Sequence, residues 1–150
     1  MLISKQMKLV RRMLPAFLTT LFLACGDLAE SPTGPGGGTE PLDPSATFAR
    51  VQAEVFTPTC ALAGCHDTFG REAGLLLLAG QSHGNIVNRA STQIPSMVRV
   101  RPGATAESYL FLKITGDPRI TGTKMPQGGS LTTDQINLVR QWIRRGAPND

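Results

Sequence analysis

Aromatic residues make up only 5% of this 150-residue chain, histidine occurs twice and cysteine three times. So few large side chains leave a domain of about a hundred residues with a modest apolar interior. The longest apolar stretch, residues 13–24, is interrupted by Pro15, Thr19 and Thr20, and is too short for a membrane span. No phosphate-binding glycine loop occurs, nor a nucleophile–base–acid set or a carboxylate pair placed with a histidine, so nothing in the sequence marks a catalytic apparatus. A basic surface is missing too, despite the net charge of +4 and the isoelectric point near 9.3. Lys5, Lys8, Arg11 and Arg12 all lie in the first twelve residues, and removing the segment before Cys25 leaves eleven basic residues against eleven acidic ones. A neutral remainder has no electrostatic footprint for DNA, RNA or an anionic membrane, so no nucleic-acid partner is expected.

What is present begins with an export signal. Four basic residues precede the apolar run, which ends in Leu21-Phe22-Leu23-Ala24-Cys25-Gly26. That ending resembles a bacterial lipoprotein processing site, with a small residue before the cysteine that becomes lipidated and with Phe22 departing from the pattern three places ahead of it. Cysteine parity agrees: consuming Cys25 with lipid leaves Cys60 and Cys65 as a pair. Residues 27–44 are Gly, Pro, Ser, Thr and acidic residues with too little apolar content to fold. The expected organisation is a signal peptide over 1–24, a flexible tether over 25–45 of a few tens of ångströms' reach, and a folded domain over 46–150. The expected location is the periplasmic or cell-surface side of a bacterial membrane, anchored through lipid on Cys25.

Within the domain the densest chemistry is Cys60-Ala61-Leu62-Ala63-Gly64-Cys65-His66. Two thiols near each other, with an imidazole directly after the second, meet the needs of thioether attachment to a porphyrin and ligation of its iron from one face. Four residues separate the thiols where the common haem motif has two, and Gly64 offers backbone freedom for the extra length. Two other chemistries fit the same residues. Cys60 and Cys65 can close a small disulfide with His66 as a bystander, or the three can ligate zinc with a fourth group such as His83, although an exported chain favours oxidation over thiolate ligation.

The flanking elements follow from apolar spacing. Asp43 as N-cap, Pro44 at the first helical position and the stripe Phe48, Val51, Val55, Phe56 predict a helix that Pro58 ends, delivering the chain to Cys60. Residues 74–80 form a glycine-bracketed leucine run of undecided type, and residues 86–100 read as irregular backbone packed on something. Arg99 and Arg101 can serve as haem propionate partners or as solvated surface arginines, the second being favoured. Thr105 predicts a helix running to Gly116, and Thr132 with Gln135 opens a closing helix with Ile136, Val139, Trp142 and Ile143 on its apolar face. Between these helices lies Gly122-Thr123-Lys124-Met125-Pro126, where a methionine has little reason to stand as core filler. Its thioether is a soft iron ligand. Met97 and His83 are its rivals, Met97 reading better as core.

A helix, a Cys-x(n)-Cys-His loop, a Met-Pro in a glycine-rich loop and a closing Trp-Ile helix ending in Gly-Ala resemble the small bacterial cytochrome c domain family over residues 46–147. The phrase from Arg101-Pro102-Gly103 through Ser108-Tyr109-Leu110 to Met125-Pro126 carries the same resemblance. It implies an all-α, cytochrome c-like domain wrapped around haem c. It further implies Cys60 and Cys65 as thioether donors, His66 and Met125 as axial ligands of the iron, electron transfer as the function and a redox protein as partner. Two alternatives stand beside it: a non-haem lipoprotein binding or structural module with a Cys60–Cys65 disulfide, and a haem sensor or peroxidase-like enzyme with an open iron site.

Overall fold

Thr47, rather than Asp43, starts the first helix. In the computed structural model, which describes residues 40–150, Asp43 instead turns the chain by accepting the Ser45 N–H (2.8 Å), and the Thr47 hydroxyl accepts from Arg50 N (3.2 Å). The expected signal peptide, Cys25 and most of the expected tether lie outside the described residues. Helix α1 (Phe48–Val51) is a single turn that widens without a break into a π-helix over Gln52–Cys60. Contrary to expectation, Pro58 does not end the helix. A proline inside a helix orphans the carbonyl four residues back and crowds it. Here the Glu54 carbonyl, four residues back, accepts a hydrogen bond from the Gln135 side chain (2.8 Å), and the winding is the wider π form, bonded five residues back, which carries the chain past the ring. The expected stripe is buried as a unit, with Val51 and Val55 fully enclosed and Phe48 and Phe56 nearly so.

That stripe packs on α4 (Thr133–Arg144), whose Thr132–Gln135 capping box forms with both reciprocal bonds. Trp142, Ile143 and Val139 are fully enclosed, and the Phe48 ring lies 5.2 Å from Trp142 and 6.3 Å from Phe56 between centroids. Each such apolar side chain contributes about 1.5–3 kcal/mol by leaving water. Gly146, at φ +96°, then reverses the chain, and the Trp142 indole N–H reaches the Pro148 carbonyl (2.8 Å). The reversal returns Asp150 to the start of α1, where its side chain and carbonyl accept the N–H groups of Phe48 and Ala49 (2.8 Å each). Beside it, Arg145 holds the Ala46 carbonyl (2.7 Å) and the Asp150 carboxylate (2.9 Å), and Arg144 donates to the Glu40 carbonyl (2.6 Å).

The middle of the chain is irregular but closely tied. Leu76 and Leu77 are buried, α2 (Ser82–Ile86) follows, and isolated bridges join Val87 to Val100, Ala90 to Val98 and Val98 to Ser108. The helix expected from Thr105 to Gly116 is two pieces: a 3₁₀ turn over Thr105–Glu107, then α3 (Tyr109–Thr115), closed by Gly116 at φ +76°. Ser108 breaks it because its backbone is extended to make the bridge to Val98, while its buried hydroxyl serves the Arg101 N–H and the Ala104 carbonyl.

Candidate functional site

The π-helix ends at Cys60, and the loop that follows folds back on its own cysteine. The His66 N–H donates to the Cys60 carbonyl (3.2 Å), while the His66 carbonyl accepts from Leu77 N (2.8 Å). Leu77 in turn gives its carbonyl to the Gln52 amide (2.9 Å), and the Gln52 oxygen accepts from the Ser82 hydroxyl at the head of α2. His66 is thus fixed through its own backbone to the π-helix on one side and, through a buried polar relay, to α2 on the other.

The loop interior leaves no room for a side chain at Gly70. A Cβ there would stand 2.5 Å from the Gly64 carbonyl oxygen, with the Gly64 carbon and Cys65 oxygen as close. Asp67 gathers the turn by accepting from Phe69 N (3.1 Å) and Gly70 N (2.6 Å). Beyond it, Arg71 (φ +41°) and Ala73 (φ +54°) sit in left-handed backbone that carries a penalty for non-glycine residues. The Ala73 carbonyl is held by the Thr92 hydroxyl (2.5 Å) and by Arg99 (3.3 Å), which also binds the carbonyls of Gly74 (3.0 Å) and Asn85 (2.9 Å). Arg99 therefore clamps the loop instead of pointing freely into solvent, and Arg101 pairs with Glu107 (2.9 Å).

Both cysteines carry free thiols. Cys60 is half-buried, and burial pushes its thiol up, with the Thr59 hydroxyl acting weakly against that and the neighbouring Cys65 adding to it. Cys65 is exposed. The His66 imidazole is half-buried and its pKa is lowered, first by burial, against the pull of the Leu75 and Glu72 carbonyls, so the ring is held neutral. Its Nδ1 is buried and has no hydrogen-bond partner. Leu62 and Phe69, on the same loop, are 48% and 93% exposed.

Met125 stands on a second loop. It is half-buried, precedes a cis bond to Pro126, and donates its N–H to the Lys113 carbonyl (2.9 Å). An open groove lined by Thr123, Lys124, Pro126 and Gln127 through Ser130 runs beside it. Among the described residues no hydrogen bond, ion pair or ring contact joins this loop to the Cys60–His66 loop. The first loop thus brings Cys60, Cys65 and His66 together, and Met125 is held separately. The rivals are otherwise engaged. His83 Nε2 meets the Ala147 carbonyl (3.0 Å) with its ring edge-on to Phe48 (4.9 Å), and Met97 is half-buried, not the core residue its sequence context indicated.

Three contributors escaped the sequence reading: Gly70, the Thr92–Arg99 clamp and Lys113. Only Lys113 had a signal, as the one charge inside the apolar run Tyr109-Leu110-Phe111-Leu112-Lys113-Ile114. Among the described residues no three His, Cys, Asp or Glu side chains converge as a metal cage. Such a set is what zinc needs; a covalently held porphyrin takes a single imidazole from this loop and bonds the thiols through carbon. An imidazole and two free thiols on one backbone-fixed loop are the donor set that group takes. No protein-family model, curated protein or solved structure matches the chain.

Proposed function

We propose that the chain is an exported, lipid-anchored haem c protein that passes single electrons to and from a redox partner protein. The observation that carries this is that two free cysteines and His66 stand together on one loop, with the His66 backbone bonded to Cys60 and Leu77. In this reading Cys60 and Cys65 would hold the porphyrin through thioether bonds, and His66 and Met125 would supply nitrogen and sulfur to its iron. Haem iron would supply a one-electron couple, which none of the chain's own side chains offers. The chain's part is positional. The backbone bonds of His66 to Cys60 and Leu77 fix where the imidazole stands, the Thr92–Arg99 clamp holds the loop's left-handed turn, and Gln52 links both to α2. A ligand from a second loop would close the iron and favour electron transfer over ligand chemistry.

The test is expression of the full chain with a cytochrome c maturation system, followed by mass measurement under denaturing conditions and a visible spectrum. Haem mass surviving denaturation, with haem absorption, is expected. A mass two hydrogens below that of the reduced chain, with no haem absorption, would replace this reading with the disulfide-stapled module.

A further inference from the structure

Lys113 is 7% exposed, and an ammonium is rarely enclosed without a carboxylate beside it. Its Nζ instead donates to two main-chain carbonyls, Thr121 O (2.9 Å) and Thr123 O (2.6 Å), while its own carbonyl accepts the Met125 N–H (2.9 Å). That carbonyl belongs to the last turn of α3, where helix carbonyls lack intrahelical partners. One residue thus fastens alternate residues of the loop, 121, 123 and 125. Tyr109, one turn earlier, accepts the Thr121 N–H (3.0 Å) at its hydroxyl and donates to Gln93 (3.0 Å). Gly116, one turn later, lies under the Lys124 stem, where a Cβ would come within 3.1 Å. Positions 109 and 113 share one face of α3 and Gly116 closes its end, and all three are given over to the loop that carries Met125.

We infer that Lys113 is a positioning residue for Met125: it pre-forms the loop so that the thioether is presented as a haem ligand, without itself touching the iron. The inference rests on the haem reading above. Its energetics separate the role from packing. Thr121 and Thr123 are exposed, so water can take over their carbonyls if the ammonium is removed, and an apolar side chain of similar length can fill the buried stem's place. Losing the clasp therefore loosens the loop with little effect on global stability. Outer-shell partners of this kind change ligand affinity by about 10–100-fold.

The experiment compares the full chain with Lys113→Met and Lys113→Arg. In the haem-loaded, reduced protein, carbon monoxide competes with the sixth ligand, and Lys113→Met should take it up about 10–100-fold more readily, at a lowered reduction potential and an unchanged melting temperature. Lys113→Arg, which keeps charge and donors, should recover most of the exclusion. In the haem-free chain, amide exchange at Thr121 and Met125 should rise in Lys113→Met alone. Carbon monoxide exclusion equal to that of the unaltered protein, with or without a lower melting temperature, would assign Lys113 to packing and overturn the inference. Should Lys113→Met fail to fold, Lys113→Gln, which keeps an uncharged donor on a shorter stem, carries the same expectations. An unaltered chain that takes no haem would sink the haem reading and the ligand role with it, while the exchange arm would still decide whether Lys113 holds the loop.

Discussion

Replacing Gly70 with alanine probes the one place where the cysteine loop has no slack. The added Cβ would lie 2.5 Å from the Gly64 oxygen, against an ordinary contact of about 3.4 Å or more, so something must move by roughly 1 Å. The crowding atoms all belong to the Gly64–Cys65 backbone, so no side chain can swing aside. The displaced peptide unit carries Cys65, and His66 follows it directly. Overpacking of this kind costs about 1–3 kcal/mol, which for a domain of this size lowers the melting temperature by roughly 4–20 °C. On the haem reading proposed above, the same shift displaces a thiol that would have to meet a vinyl group, so the fraction of chain carrying covalent haem should fall as well. Gly84→Ala is the matched control. Gly84 lies inside α2, where an added Cβ would meet nothing within 4 Å, so alanine there should be neutral or stabilise by about 0.5–1 kcal/mol. Calorimetry and haem-to-protein ratio on the three proteins decide the matter. A Gly70→Ala chain that melts and loads like the unaltered one would refute the account of a backbone-packed loop.

Two further outcomes are expected. The Asp150 carboxyl is held below its ordinary value, chiefly by the Phe48 N–H and then by Arg145, so its contribution to stability is full above the unfolded value of about 4 and is lost as pH falls through the lower folded value. Asp150→Asn should flatten that acid limb in denaturant titrations run between pH 2 and 6, and an unchanged pH profile would remove Asp150 from the account. Cys25→Ser should release the protein from membranes into the soluble fraction if lipid is the anchor, whereas equal retention of both forms on fractionation would point to another anchor.

Periodicity made the two packed helices readable. The stripe Phe48, Val51, Val55, Phe56 and the capping box Thr132–Gln135 are local patterns with local causes, and both appear as expected. The passage through Pro58 was not readable, because what accompanies it is a π winding and a tertiary bond, from Gln135, about eighty residues away, to the Glu54 carbonyl. Ser108 broke a helix for a similar reason, its extended backbone being needed by Val98. Among the candidate site residues, Cys60, Cys65 and His66 could be singled out because they lie within seven positions of one another. Gly70 was not, because what it yields to is backbone folded over it, and Arg99 reads as a surface charge in sequence because its three carbonyl partners come from residues 73, 74 and 85.

The return of the chain end to α1 also sets how the domain bears load. Glu40 and Asp150 are both secured to the last turn of α4, through Arg144 and Arg145. Tension arriving from the residues before Glu40 is therefore taken first by Arg144, then by the Gln141 side chain that meets the Asp43 N–H (3.3 Å), and only afterwards by α1. Cys60 lies past the π-helix, downstream of all three attachments. A tug that strips away the first of them leaves the strained turn around Ala73 and the pinned backbone of His66 unloaded.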